Sequence, residues 1–154
     1  MCSPTRAIPT RRACCARCRA SAKRPRSLAA ARDLVQAALI AGDEATAKQV
    51  LLDLFVGGQR ISAMGDEVIA ESFTAIGKLW ECCELEVYRE RLACRICSRV
   101  LIELRNLLPP SKPGAPIALG CAPAGDVYDL PTALVELVLR ECGWNATSLG
   151  SSLP

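Results

Sequence analysis

The stretch that decides the fold is CAPAGDVYDLPT, Cys121 to Thr132. It follows a short apolar run, IALGC at 117–121, whose flanking turn residues predict a buried strand. A helical pattern ending near Gly143 comes next, and NATSLG after it can form a second strand. Strand, loop, helix and strand make a βαβ unit with a parallel sheet. Ligands of open parallel sheets bind beyond the carboxyl ends of the strands, so this loop is a candidate ligand site. The apolar residues that mark its helix are Leu134, Val135, Leu137, Val138 and Leu139.

Four amphipathic helical patterns with short connections lie upstream of this unit. The first stops at Gly42, the second at Gly57-Gly58, and the fourth at Pro109-Pro110, all residues that commonly end helices. Such a pattern predicts a four-helix bundle, followed by a partial flavodoxin-like (Rossmann-like) parallel βαβ unit. The predicted helices cover 28–41, the segment after Asp43 up to Gly57, about 60–82 and about 86–108. The predicted divisions are a tail at 1–27, a bundle at 28–110, a linker at 111–116 and an incomplete α/β domain at 117–154.

The N-terminal segment 1–27 differs in charge from the rest of the chain. It holds eight Lys/Arg, no acid and three prolines, and it shows no hydrophobic period, which predicts a disordered basic tail. The whole chain has 19 basic and 16 acidic residues, so residues 28–154 carry a net charge of −5. The tail could bind nucleic acid phosphates, act as an organelle presequence, or be a leader without function.

Composition excludes several classes of protein. The chain has no run of about 18 uninterrupted apolar residues, so no transmembrane helix is predicted. Its N-terminus lacks the apolar h-region of a secretory signal, so none is expected. The ten cysteines do not form a small secreted framework, so we expect a reduced, cytoplasmic setting. Cys15-x-x-Cys18 and Cys94-x-x-Cys97 are spaced like zinc half-sites, but the second lies mid-helix where both side chains can face the core. We therefore expect no zinc site.

Catalytic sets are scarce in the sequence. The chain contains no histidine, so no Ser-His or Cys-His pair can form. No glycine-rich loop has the spacing that cradles phosphates. Asp126 and Asp129 could form a carboxylate pair for acid–base or Mg²⁺ chemistry, but no other residue supports that interpretation. We expect a protein that is not an enzyme.

The order of parts, together with the quoted loop, resembles the cobalamin-binding modules of corrinoid methyltransferases and of light-sensing MerR-type repressors. The resemblance covers roughly 28–154. In that family the first βα loop reads Asp-x-His-x-x-Gly, and its histidine is the lower axial ligand to cobalt. In this chain the matching positions are Asp126, Tyr128 and Pro131, so only the aspartate is retained.

A second match lies in the predicted bundle. The repressor branch has a tryptophan, nine residues, and then Glu-His; the tryptophan covers the upper face of the corrin, and the histidine can bind cobalt from above. Here Trp80 is followed, after nine residues, by Glu90 and Arg91. The resemblance therefore implies cobalamin as the cofactor, with these three residues and the loop positions Asp126, Tyr128 and Pro131 as its binding positions.

Both histidine positions have lost their usual chemistry. A tyrosine must become a phenolate to bind a metal strongly, and its reference pKa is about 10. An arginine stays protonated and has no lone pair to offer. We predict that neither Tyr128 nor Arg91 ligates cobalt, so a corrinoid would be held by shape and by its own axial base.

Ordinary structural roles are the alternative for each candidate. Trp80 could belong to the core, Glu90 and Arg91 could be surface charges, and Asp126 could brace the loop. Pro131 suits the first turn of the following helix.

The expected function is a regulatory or sensor module of the cobalamin-binding kind, as part of a transcription regulator. The alternatives are a corrinoid carrier serving a methyltransferase, or a helical interaction module that has lost its ligand. Expected partners are a second copy of the chain and nucleic acid, through the tail or a separate DNA-binding domain; no membrane is expected. The segment 117–154 has room for two strands and one helix, so we also expect a sheet with an exposed edge and an exposed apolar face.

Overall fold

The computed structural model of the chain describes residues 27–152. The predicted basic tail therefore lies, except for Ser27, outside the described residues. The observed order of elements is a set of helices followed by a strand, a helix and a strand.

The bundle consists of four helices joined by short turns. Helix α1 is Leu28–Ala41, α2 is Glu44–Val56, and α4 is Val87–Leu107. Helix α3 is continuous but changes character, from Ile61–Ala63 through a π-helical segment, Met64–Ala70, to Glu71–Glu81. The predicted helices are confirmed, and the aliphatic core between them includes Val35, Leu39, Leu51, Ile61, Met64, Val68, Ile76, Ile96, Val100 and Leu104.

Capping explains where α1 and α2 meet. Gly42 adopts φ 75°, the left-handed conformation that closes α1. Asp43 then begins the next turn, and its carboxylate accepts a hydrogen bond from the Thr46 amide at 3.0 Å and another from the Thr46 hydroxyl at 2.6 Å. These two hydrogen bonds hold the pKa of Asp43 below its usual value.

The N-terminus of α3 is capped by a distant residue. The amide of Ile61 donates to both carboxylate oxygens of Glu141, at 3.2 Å each, across 80 residues of chain. Glu141 is the last residue of the helix in the α/β unit. The start of the third bundle helix is thus stabilised by the α/β unit.

The α/β unit has the predicted order. Strand β1 is Ile117–Gly120, helix α5 is Leu130–Glu141, and strand β2 is Asn145–Ser148. The strands pair in parallel, with Ile117 opposite Asn145 and Gly120 opposite Ser148. The fold class, a helical bundle followed by a small parallel α/β unit, is confirmed. The division into a bundle at 28–110, a linker at 111–116 and an α/β domain at 117–154 stays a prediction. Leu130 and Leu137 of α5 pack into the same core as the bundle.

The prediction that β1 is a buried strand is wrong. Ile117 is 71% exposed and Leu119 is 68% exposed. Only one other strand is present among residues 27–152, and no described element covers this face of β1. The exposed apolar face expected of a short sheet is present.

The face that α5 buries also differs from the apolar pattern. Val135, part of the predicted apolar pattern, is 57% exposed, whereas the neighbouring Glu136 is 8% exposed. Leu137 is buried against the bundle as expected. Glu136 can be buried because its carboxylate has hydrogen-bond partners on α4, α5 and β2.

None of the helices between residues 27 and 152 combines the length and the apolar character needed to cross a bilayer.

Candidate functional site

The loop between β1 and α5 is held by its own hydrogen bonds. The Asp126 amide donates to the Pro123 carbonyl at 3.0 Å, which closes a tight turn, and Gly125 within it has φ 87°. The Asp126 carboxylate accepts from the Tyr128 amide at 2.9 Å. The brace role of Asp126 is therefore observed.

Two further features define the ends of the loop, a hydrogen bond at its start and a proline at its end. Ala122, which is buried, donates its amide to the Gly150 carbonyl at 3.0 Å. Pro131 lies in the first turn of α5, where its missing N–H has no cost. The loop consequently presents Tyr128 and Asp129 towards the bundle, as their partners show.

Helix α4 of the bundle contacts this loop directly. The Tyr128 hydroxyl lies 3.5 Å from Glu90 Oε2, at the outer limit of a hydrogen bond. The guanidinium carbon of Arg91 lies 4.7 Å from the centre of the Tyr128 ring, a cation–π contact. Two turns further along α4, the Ser98 hydroxyl lies 3.4 Å from the Asp129 carboxylate. Residues from the two sequence motifs thus contact each other where α4 meets the loop. We call this contact surface the α4–loop seam; it consists of Glu90, Arg91, Ser98, Tyr128 and Asp129.

The electrostatics of the seam keep its tyrosine protonated. Partial burial raises the pKa of Tyr128, and the negative charge of Glu90 raises it further, while Arg91 opposes the shift. Glu90 is also within 3.5 Å of the Cys94 thiol, whose pKa burial and Glu90 raise to about 12. At neutral pH both groups are hydrogen-bond donors to Glu90 rather than anionic metal ligands.

Trp80 lies in the last turn of α3 and is 50% exposed. The core alternative for this residue is therefore wrong, since a core tryptophan would be covered. Its location on the bundle face nearest the loop stays a prediction. Glu90 and Arg91 are more than surface charges, because both contact Tyr128.

Glu136 is a site residue that the sequence interpretation missed. Its carboxylate accepts hydrogen bonds from Arg105 Nε of α4 at 2.6 Å, Arg140 Nε of α5 at 2.9 Å and the Ser148 amide of β2 at 2.8 Å. One buried acid therefore joins three elements. The available signal was a single carboxylate inside the apolar run ALVELVL, at 133–139.

A cavity of about 190 Å³ lies between α4, α5 and the end of β2. It is smaller than the roughly 300–1,000 Å³ typical of small-molecule pockets. A ligand of corrinoid size would require α4 and the loop to separate. The cavity is lined by Ser98, Leu101, Ile102, Arg105, Asp129, Ala133, Glu136, Leu137 and Ser148.

The fold and the seam together define a class of protein, in which a helical cap lies over the first βα loop of a Rossmann-like unit. Residues 31–105 match the family model described as the B12 binding domain. The helical domain of this chain therefore belongs to the B12-binding-domain family.

A solved structure supports the fold. The monomethylamine corrinoid protein of Methanosarcina barkeri superposes with a TM-score of 0.67 over 83% of this chain and 60% of that chain, at 17% identity. The methanol:cobalamin methyltransferase complex of Methanosarcina barkeri matches over 100% of this chain and 63% of that chain, at 20% identity and a TM-score of 0.43, too low to support an inference. This chain thus spans about 60% of the length of these solved chains. No curated protein sequence matches it.

The family implies a corrinoid, and the residues at its two histidine positions, Tyr128 and Arg91, do not fit it as ligands to cobalt. The chain has no histidine, the pKa of Tyr128 is raised, and Arg91 stacks its cation on the tyrosine ring. At neutral pH a protonated phenol is a weak metal ligand, and a guanidinium offers no lone pair. Within residues 27–152 no cluster of three or more His, Cys, Asp or Glu side chains could hold a metal ion.

Proposed function

We propose that the chain is a corrinoid-binding module of the carrier type, which holds a corrinoid at the α4–loop seam without supplying an axial ligand. One observation carries the proposal: Glu90 and Arg91 of the bundle meet Tyr128 of the loop. These are the positions at which the family resemblance places the two cobalt-facing motifs. Membership of the helical domain in the B12-binding-domain family supports the same ligand class.

The seam residues have roles that need no bond to cobalt. Arg91, Glu90 and the protonated Tyr128 offer charged and neutral hydrogen-bonding groups. Trp80, half exposed, offers a flat apolar surface near the end of α3. Asp126 and Pro131 shape the loop through the Tyr128 amide and the first turn of α5. A bound corrinoid would supply the cobalt and its own base.

A carrier that hands its cofactor to a partner protein is favoured over an enzyme. The ionisable groups of the seam are engaged with neighbouring side chains, Glu90 with Tyr128 and Asp129 with the Ser98 hydroxyl. The carboxylate pair considered from sequence, Asp126 and Asp129, is divided between two tasks: one braces the loop, and the other contacts α4. The regulatory alternative depends on the basic segment 1–27, which lies outside the described residues apart from Ser27.

Titration of the purified full chain with aquocobalamin tests the proposal. We expect binding measured by equilibrium dialysis, with the visible spectrum of a corrinoid that keeps its own base or water as the lower ligand. Tyr128→Phe should leave that spectrum unchanged, because the phenol is not a ligand.

Tyr128→His is the matched gain-of-ligand variant, because it restores the family's Asp-x-His at the same loop position. If the loop faces the cobalt, this variant should show the nitrogen superhyperfine coupling of a protein imidazole in the electron paramagnetic resonance spectrum of its Co(II) form. Isotopic labelling of histidine with ¹⁵N identifies that coupling. If neither the unchanged chain nor Tyr128→His binds aquocobalamin, the result would instead favour the helical interaction-module alternative.

A further inference from the structure

The turn between α3 and α4 carries two adjacent cysteines that the proposed function does not use. Cys82 ends α3, and Cys83 follows it; both are exposed. The Cys83 amide donates to the Trp80 carbonyl at 2.9 Å, and its φ is 58°. This left-handed backbone favours glycine, so the Cys83 side chain lies where the backbone does not favour one. We call these two residues the Cys82–Cys83 pair.

The other cysteines of the described part of the chain differ from this pair. Cys94 and Cys97 also lie close in sequence, but burial raises the pKa of each thiol to about 12. Cys121 and Cys142 are exposed but are not adjacent in the sequence. Between residues 27 and 152, only Cys82 and Cys83 are two exposed cysteines at adjacent positions in the sequence.

The geometry of adjacent residues disfavours a disulfide within the pair. Cα atoms across a trans peptide are about 3.8 Å apart, whereas disulfides usually join Cα atoms about 4.4–6.8 Å apart. A disulfide here would therefore be strained and easily reduced. A larger atom that bridges the two sulfurs relieves this constraint, because it lengthens the ring.

The number of ligands selects the kind of bridging atom. A structural zinc site needs four ligands, and no cluster of three or more metal-ligating side chains exists within residues 27–152. The pair therefore suits a soft electrophile that needs two thiols only. We propose that the Cys82–Cys83 pair is a binding site for monosubstituted trivalent arsenicals, of the form R–As(OH)₂.

The bonding step balances without an oxidant. Each thiol forms one As–S bond, one As–OH bond breaks, and the hydroxyl leaves as water with the thiol proton. Two thiols thus release two waters, and arsenic stays trivalent. This site goes beyond the proposed function and does not depend on corrinoid binding.

Phenylarsine oxide, which hydrates to this form, is the probe. The experiment uses the full chain, with the four N-terminal cysteines replaced by serine because two of them are also adjacent. We expect one phenylarsenic group per chain by intact mass, located by peptide mapping at residues 82–83. Ethanedithiol should remove it, whereas a monothiol at equal thiol concentration should not. The replaced residues are Cys2, Cys14, Cys15 and Cys18.

Single-thiol variants decide whether the two sulfurs act together. Cys82→Ser and Cys83→Gly should each weaken binding at least about 100-fold, because the second bond is then no longer intramolecular. Cys83→Gly suits the left-handed backbone, so a folding defect would not explain its loss. Cys121→Ser and Cys142→Ser are the controls and should bind normally. Unchanged binding in Cys82→Ser or Cys83→Gly, or modification mapped to Cys121 or Cys142, would overturn the proposal.

Discussion

Replacing Glu136 should loosen the α/β unit from the bundle. Its side chain is 9% exposed and accepts from Arg105, Arg140 and the Ser148 amide. Breaking a buried ion pair by removing one partner costs about 3–5 kcal/mol. Arg140 is 17% exposed and belongs to this class, whereas Arg105 is 44% exposed and is screened by solvent. We therefore expect Glu136→Ala to lower the free energy of unfolding by about 3 kcal/mol, the low end of that range.

Glu136→Gln separates charge from hydrogen bonding. The amide oxygen of the glutamine can still accept from the Ser148 amide. Glu136→Gln should therefore lower the free energy of unfolding about half as much as Glu136→Ala, by roughly 1.5 kcal/mol. The control is Glu103→Gln on α4, the helix that carries Arg105. Glu103 lies 2.8 Å from Lys48, and both side chains are over 40% exposed. A surface pair of this kind contributes less than about 1 kcal/mol.

Urea unfolding followed by circular dichroism measures the total effect, and amide hydrogen exchange locates it. In Glu136→Ala the Ser148 amide should exchange faster, while the amides of α2 should change less. The reasoning is refuted if Glu136→Ala unfolds at the same urea concentration as Glu103→Gln, or if exchange at Ser148 does not change.

Three further outcomes are expected. Trp80→Ala should reduce corrinoid affinity in equilibrium dialysis but cost well under the roughly 3–5 kcal/mol of a buried tryptophan, because Trp80 is half exposed; a large loss of helical circular dichroism would contradict this. Hydrogen exchange should be slower across 28–108 than across 117–152, and equal protection of both in a monomer would show the small sheet to be complete. Cys94 and Cys97, with pKa values raised to about 12, should resist iodoacetamide at pH 8 and become alkylated only as the pH approaches that value; rapid labelling of either thiol at pH 8, by mass spectrometry, would show that it is not buried.

The helices and the order of elements could be predicted because their signals are local. Gly42 and Asp43 carry the end of one helix and the start of the next within two residues. The βαβ unit follows from a strand, loop and helix pattern within about 30 residues. The π-helical segment Met64–Ala70 could not be predicted, since the apolar spacing there does not distinguish it from an α-helix.

The sequence allowed several residues of the candidate site to be predicted, but not the contacts between them. Spacing and resemblance selected Glu90, Arg91 and Tyr128, but the cation–π contact between the last two spans 37 positions of sequence. Glu136 was missed because helical periodicity assigns a carboxylate to the solvent side, and only the fold supplies the two arginines and the amide that it accepts from.

The bond from the Ile61 amide to Glu141 bears on how separable the two parts of this chain are. A bundle excised at residue 110 would keep all four helices but lose the acceptor at the start of the third, a deficit of about 1 kcal/mol for a lost cap. Arg105 would lose its carboxylate partner in the same cut. Any chimaera that grafts this bundle onto another α/β unit should therefore carry matching acids on the incoming helix, because these hydrogen bonds join the bundle to residues beyond the predicted linker at 111–116.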